Sequence, residues 1–145
     1  MKRENEMYLE FDSRSVNEGF ARVAVAAFLA ELNPTLDELA DVKTAVSEAV
    51  TNAIIHGYEK ETGKVALRCR LRDNEVELTV SDTGKGIADV ARAREPFFTT
   101  RPELERSGMG FAFMEAFMDA VEVQSEPGKG TSVRMRKSFG RKDDC

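Results

Sequence analysis

Glu48 and Asn52 stand four residues apart in a long helix-forming stretch, so they stack one turn above the other on a helix. A carboxylate there can take a proton from a hydroxyl or a water, a role that typically contributes about 10²–10⁴-fold in rate. The amide oxygen of Asn52 suits Mg²⁺, a hard cation that keeps several waters and substrate phosphates around one or two protein oxygens. Asp82-x-Gly84-x-Gly86 follows a strand-like run. Asp82 can accept from an exocyclic amine, which adenine has and guanine lacks at that edge. Gly84 and Gly86 let backbone approach a ligand closely. Gly108-Met109-Gly110 opens an apolar helix, where free N–H groups and the positive end of the dipole cradle phosphate. Upstream, Thr99, Thr100, Arg101 and Arg106 place hydroxyls and cations in a charged segment, suited either to a lid that orders over a nucleotide or to a solvated loop.

Each group alone also fits a plainer arrangement. Glu48 and Asn52 fit a solvated helix flank, and Asp82 fits a capped turn. Two common nucleotide motifs are missing. The chain has no G-x-x-x-x-G-K-[ST], and Asp82 to Gly86 lacks the third glycine and β-α-β setting of a dinucleotide fingerprint. The single histidine, His56, comes one further turn after Asn52. It suits either a phosphoacceptor or a structural imidazole near the C-terminal pole of a helix.

The elements that position these groups are legible from periodicity. Met7 to Asp12 alternates as a strand. Ser13 and Ser15 are both suitable N-caps for a helix over Val16 to Leu32, with Phe20, Val23, Ala24, Ala27 and Phe28 at helical spacing. Arg14, Glu18 and Arg22 lie about a turn apart, opposite Phe20, Val23 and Ala27, which fits a solvated face. Asn33-Pro34 ends this helix. Thr35 caps the next, Glu38 completes a capping box, and the helix runs to about His56 before Gly57. Its apolar face is Val42, Ala45, Val46, Ala49, Val50 and Ala53, with Asn52 and His56 at the edge and Glu48 just beyond. Lys64 to Arg72 and Glu75 to Ser81 read as a hairpin turning at Asp73-Asn74. A short helix over Ile87 to Arg94, an irregular charged segment over Pro96 to Ser107 and an apolar helix over Met109 to Asp119 follow. Strands over Val121 to Ser125 and Thr131 to Lys137 are joined by Glu126-Pro-Gly-Lys-Gly130. This order predicts an α+β fold, with helices on one face of a mixed, mostly antiparallel sheet.

The whole chain sets bounds. At 145 residues it fits one domain, able to bury roughly 70% of its unfolded surface. Apolar and charged fractions of 41% and 32% are those of an ordinary globular protein. The apolar run Val23 to Leu29 is too short to span a bilayer, and the charged N-terminus reads as no signal peptide, so no membrane partner is expected. Cys69 and Cys145 form no metal spacing or disulfide framework, which points to a reducing cytoplasm. A net charge of −5 argues against direct nucleic-acid binding. The cluster Arg134, Arg136, Lys137, Arg141 and Lys142 reads as a solvated strand face and tail.

Taken together, the motifs resemble the GHKL superfamily of ATP-binding domains, which includes gyrase B, histidine kinases and MutL. Glu48-x-x-x-Asn52 looks like its N-box and Asp82-x-Gly84-x-Gly86 like its first glycine box. Arg106-Ser107-Gly108-Met109-Gly110-Phe111 looks like the second, and Gly130-Thr131 like the Gly-Thr that closes the adenine pocket. Pro96 to Thr100 is similar to the segment before the lid in the kinase branch. Ser47 to Gly57 and Phe98 to Phe111 narrow the match to the sporulation anti-sigma F family, protein-serine kinases of spore-forming bacilli.

The resemblance implies a single GHKL α/β sandwich over residues 1–145, with a lid at about 94–108 and a tail at about 139–145. It implies a homodimer using ATP (leaving ADP) and Mg²⁺. Such a protein holds an F-type sigma factor inactive and phosphorylates a serine on an anti-anti-sigma partner. Carried over, Glu48 is the base, Asn52 holds Mg²⁺ and Asp82 reads the adenine amine. Gly84, Gly86, Thr99, Thr100, Arg106, Ser107, Gly108, Met109, Gly110 and Thr131 line the nucleotide, and Arg22 is a partner contact. The alternative is a stand-alone ATP-binding regulatory module related to histidine kinase catalytic domains. Against that branch, this chain has Glu48 where histidine kinases commonly have asparagine, and it shows no helical dimerisation domain.

Overall fold

The computed structural model describes residues 4–57, 63–84 and 110–140. Five strands form one sheet in the order β1-β2-β3-β5-β4: β1 Glu4–Asp12, β2 Lys64–Arg72, β3 Glu75–Asp82, β4 Ala120–Glu126 and β5 Gly130–Ser138. Every described pairing is antiparallel. Among the described residues three α-helices accompany it: α1 Val16–Phe28, α2 Leu36–Asn52 and α3 Gly110–Phe117. The architecture is the expected α+β one. The expected helix over Ile87 to Arg94, the lid at about 94–108, and Arg141 and Lys142 lie outside the described residues.

The strand alternation decides which side of the sheet is covered. Val65, Leu67, Cys69 and Leu71 on β2, Val76, Leu78 and Val80 on β3, and Val133 and Met135 on β5 are all buried. Their registers align them in rows, such as Leu9–Leu67–Val80–Val133–Val123. Cys69 sits inside this core, and burial pushes its thiol up to about 12, so it behaves as an apolar side chain. The open face carries columns of opposite charge. Arg68 and Arg70 reach Glu6, Arg70 also reaches Glu77, and Arg134 reaches both Glu122 at 2.7 Å and Glu77 at 3.7 Å. The guanidinium of Arg134 is therefore matched by carboxylates across the strands instead of forming a basic patch.

Helix α2 is the centre of the helical layer, packing against α1 and α3. Val42, Ala45, Val46, Ala49 and Val50 are buried along its inner face, the face its spacing predicts. Its start is fixed by the capping box. Thr35 N–H donates to Glu38 Oε1 at 2.9 Å, and Glu38 N–H donates to Thr35 Oγ1 at 3.1 Å. The helix departs from expectation at its far end. The α-helical backbone stops at Asn52 and becomes a π turn over Ala53–Gly57, so the regular column begun by Glu48 and Asn52 ends there.

Helix α1 requires a correction. It is α-helical only to Phe28, with a 3₁₀ turn over Leu29–Leu32 ended by Asn33 in the left-handed region at φ 52°. Its buried residues are Ala21 and Val25, while Phe20 and Val23 are 55% and 62% exposed. Arg22 and Glu18, expected on a solvated face, are half-buried and pair at 3.4 Å. The helix carries two apolar stripes. The one with the smaller residues faces α2, because small side chains let helix axes approach closely. Two boundaries also differ. Strand β1 begins at Glu4, earlier than Met7, because its register with β2 continues to Glu4–Arg72. Phe139, expected in the tail, is buried and joined to the β2–β3 turn: its N–H donates to Asn74 O at 2.8 Å, and Asn74 Nδ2 donates to Phe139 O at 2.9 Å.

Candidate nucleotide site

Two contacts fix the direction of α2. Gly140 N–H donates to Glu38 Oε2 at 3.1 Å, and Lys137 Nζ lies 3.7 Å from Asp41. The start of α2 therefore lies over the C-terminal end of β5. Seventeen residues of helix span about 25 Å, close to the length of an eight- or nine-residue strand. The last turn of α2, with Glu48 and Asn52, thus reaches the other end of the sheet. There β5 begins at Gly130 and β3 ends at Asp82, and the π turn after Asn52 packs on both strands. Helix α3 gives the same answer. Its C-terminal Phe117 O accepts from Lys137 Nζ at 2.9 Å, so its first residue, Gly110, points toward the Asp82 end.

That end of the sheet carries its chemistry in one row. Phe11, Val65, Asp82, Thr131 and Ser125 are register partners across β1, β2, β3, β5 and β4, on the face covered by helices. The first two are apolar and the last three polar, whereas the next row inward is entirely aliphatic. Asp82 is only 8% exposed, the one buried charged residue among those described. Burial raises its carboxyl above the ordinary 3.8, while the backbone N–H groups of Gly84 and Thr131 hold it down. The Gly84 N–H bond to Asp82 Oδ1 is 2.9 Å. Asp82 is thus a poised acceptor: two backbone donors fix it, and oxygen capacity remains for a ligand amine.

Gly130 makes this geometry possible. Its φ is +98°, and a Cβ there would stand 2.1 Å from Asp82 O and 2.7 Å from Thr83 Cα, both backbone atoms that cannot swing aside. Gly130→Ala is expected to lower stability by about 2 kcal/mol or more, several degrees in Tm, and to weaken nucleotide binding by displacing Asp82. Gly128, at φ +80° with open space around it, serves as the internal comparison. Gly128→Ala should cost only about 1 kcal/mol and leave binding unchanged. Thermal melts and nucleotide titrations of both variants check the contrast.

The described residues therefore gather Glu48, Asn52, Asp82, Gly84, Thr131 and the start of α3 at Gly110 on one end of the sandwich. Gly86, Thr99, Thr100, Arg106, Ser107, Gly108 and Met109 lie outside the described residues. Arg22 lies about two turns along α1. It pairs with Glu18, and both Arg22 Nε and Glu18 Oε2 are shielded from solvent without a well-formed hydrogen bond. Sequence reasoning missed Ser125. The signal was its inward place in the alternation Val121, Val123, Ser125 at the end of an otherwise apolar face.

The donor set suits the groups it would hold. An acceptor-only carboxylate at the sheet end, a glycine with no room for a Cβ, and a helix start suit a purine nucleotide. A lone amide oxygen suits Mg²⁺, which takes most of its ligands from phosphate and water.

Fold and site together define a histidine kinase-like ATPase domain, and the family signature of that description spans residues 10–137. The chain is 61% identical to the anti-sigma F factor of Clostridium botulinum (strain Eklund 17B / Type B) over 137 residues, 94% of this chain and 96% of that one. It is 57% identical to the anti-sigma F factor of Bacillus subtilis (strain 168) over 138 residues, 94% of each. Among solved structures, the fold matches the RsbU and RsbW domains of a Mycobacterium tuberculosis protein with TM-score 0.70 and 21% identity, over 95% of this chain and 33% of that one. The chain belongs to the anti-sigma F factor family, kinase-type ATP-using proteins of the histidine kinase-like ATPase fold. No helix among the described residues is long and apolar enough to cross a membrane.

Proposed function

We propose that this chain is an ATP-dependent protein-serine kinase of the cytoplasm that also sequesters an F-type sigma factor. The observation that carries the reading is the convergence of the Glu48–Asn52 turn with the Asp82–Thr131 row at one end of the sheet. Asp82 accepts from the adenine amine, and Asn52 supplies an oxygen to Mg²⁺. The N-terminus of α3, with the glycines before it, serves the phosphates. ATP supplies the phosphoryl group, and Mg²⁺ offsets its charge. Glu48, one turn before Asn52, removes the proton from the incoming serine hydroxyl of an anti-anti-sigma partner. The chain acts as one domain and as a homodimer.

Partners meet the chain along α1, where Arg22 is the proposed contact. Arg22→Glu should weaken capture of the sigma factor at least tenfold. It removes the Glu18 ion pair and places two carboxylates at i, i+4, a local cost of about 0.4–1 kcal/mol, so the fold and ATP affinity should be kept. Pull-down with the purified sigma factor, run beside an ATP titration, checks both. Loss of the two activities together would contradict a contact role for Arg22.

A further inference from the structure

Ser125 and Thr131 face each other across β4 and β5, and their hydroxyl oxygens are 2.8 Å apart. Ser125 Oγ also lies 3.0 Å from the carbonyl oxygen of Gly130. A carbonyl oxygen only accepts, so the single Ser125 proton goes to Gly130 O. Ser125 Oγ then meets Thr131 as an acceptor, and the Thr131 proton goes to Ser125. The Thr131 hydroxyl is thereby held with its proton turned away from Asp82, and only lone pairs remain for a ligand. Thr131 is the register partner of Asp82 on the same sheet face, and their Cβ atoms are about 4.5–5.5 Å apart. The rim of the pocket thus presents two acceptors side by side, one a carboxylate and one a hydroxyl oxygen of fixed polarity.

We propose that Ser125 is a positioning residue for base specificity: by fixing the Thr131 hydroxyl as an acceptor beside Asp82, it makes the pocket take a 6-aminopurine and reject a 6-oxopurine. The proposal rests on the reading of Asp82 and Thr131 as the base-recognising pair. A 6-amine brings two N–H donors to a rim that only accepts. A 6-oxo group brings lone pairs, and a freely rotating Thr131 hydroxyl would turn its proton toward them. Ser125 removes that rotation, so the carbonyl ligand meets repulsion instead of a donor.

The test compares ATP with inosine triphosphate, which carries a 6-oxo group in place of the amine, on the full chain. Affinities are measured by calorimetric titration for wild type, Ser125→Ala, Ser125→Thr, Thr131→Val and the double variant Ser125→Ala/Thr131→Val. The wild type should prefer ATP by about 100-fold or more. Ser125→Ala should narrow that ratio about tenfold, chiefly by strengthening inosine triphosphate. Ser125→Thr, which keeps the hydroxyl, should restore the wild-type ratio. The double variant should match Thr131→Val alone, because Ser125 acts through the Thr131 hydroxyl. A merely structural cross-strand pair would weaken both nucleotides equally and leave the ratio fixed. An unchanged ratio in Ser125→Ala, or additive effects in the double variant, overturns the role of Ser125 while the ATP site stands. A wild type that binds neither nucleotide overturns both the role and the site.

Discussion

Glu48→Gln is expected to lower phosphotransfer by about 10²–10⁴-fold, equivalent to about 3–5 kcal/mol of barrier, with ATP affinity unchanged. The substitution replaces a carboxylate by an amide of the same shape. Glu48 sits half-buried on the last full turn of α2, one turn before Asn52, so an isosteric change leaves the inner face of Val42, Val46 and Val50 undisturbed. What is lost is the ability to accept a proton. Single-turnover assays with saturating ATP isolate this step from nucleotide binding. Asn52→Ala should behave differently, weakening the Mg²⁺ dependence of binding before any effect on proton transfer. Transfer by Glu48→Gln at the wild-type rate would mean that another group takes the serine proton.

Asp82→Asn is expected to weaken ATP binding by about 100-fold while leaving the ligand-free chain as stable as wild type or more so. The affinity loss follows from replacing an ionised acceptor at the adenine amine by an amide that brings donors to face donors. The stability effect follows from burial. Asp82 has its folded carboxyl raised above 3.8, with burial the main cause. A carboxyl raised by folding favours the folded state below 3.8, and that contribution is lost as pH rises through the raised folded value. At neutral pH the buried charge is therefore a cost that asparagine removes; its single oxygen keeps the Gly84 N–H bond, and removal of the charge offsets the loss of the second acceptor toward Thr131 N–H. The same sign governs ligand binding. ATP affinity of the wild type should fall as pH drops through the raised Asp82 value. Asp82→Asn should show no such step. Melting curves and titrations across pH 4 to 8 (a range set by the ordinary carboxylate value) separate the two effects. Full ATP affinity in Asp82→Asn would contradict its role in reading the base.

These two residues also show how far the sequence could be read. Asp82 closes the alternation Val76, Leu78, Val80 and so had to face inward, and a buried carboxylate at a strand end is legible as chemistry. The face of α2 and its Thr35–Glu38 capping box were equally readable, because period and cap are local properties. What was not local was lost. Helix α1 carries two apolar stripes, and periodicity alone cannot tell which one faces α2. The choice follows from the close approach that Ala21 allows, which leaves Phe20 and Val23 outside. The π turn after Asn52 depends on how the end of α2 settles on β3 and β5, and no spacing in Ala53 to Gly57 announces it. Ser125 escaped notice because it stands two strands from Asp82, with Thr131 between them, a row visible only when β3, β5 and β4 are placed side by side. The end of β5 was misjudged for a similar reason. Phe139 reads as tail until its bonds to Asn74 are seen.

The most direct test of the central claim is one incubation of the purified chain with labelled ATP, Mg²⁺ and an anti-anti-sigma protein, followed by acid treatment. Label is expected to pass to that separate protein as acid-stable phosphoserine, with transfer by Glu48→Gln lower by about 10²–10⁴-fold. Acid-labile label on a histidine, or ATP binding with no transfer at all, would contradict that claim.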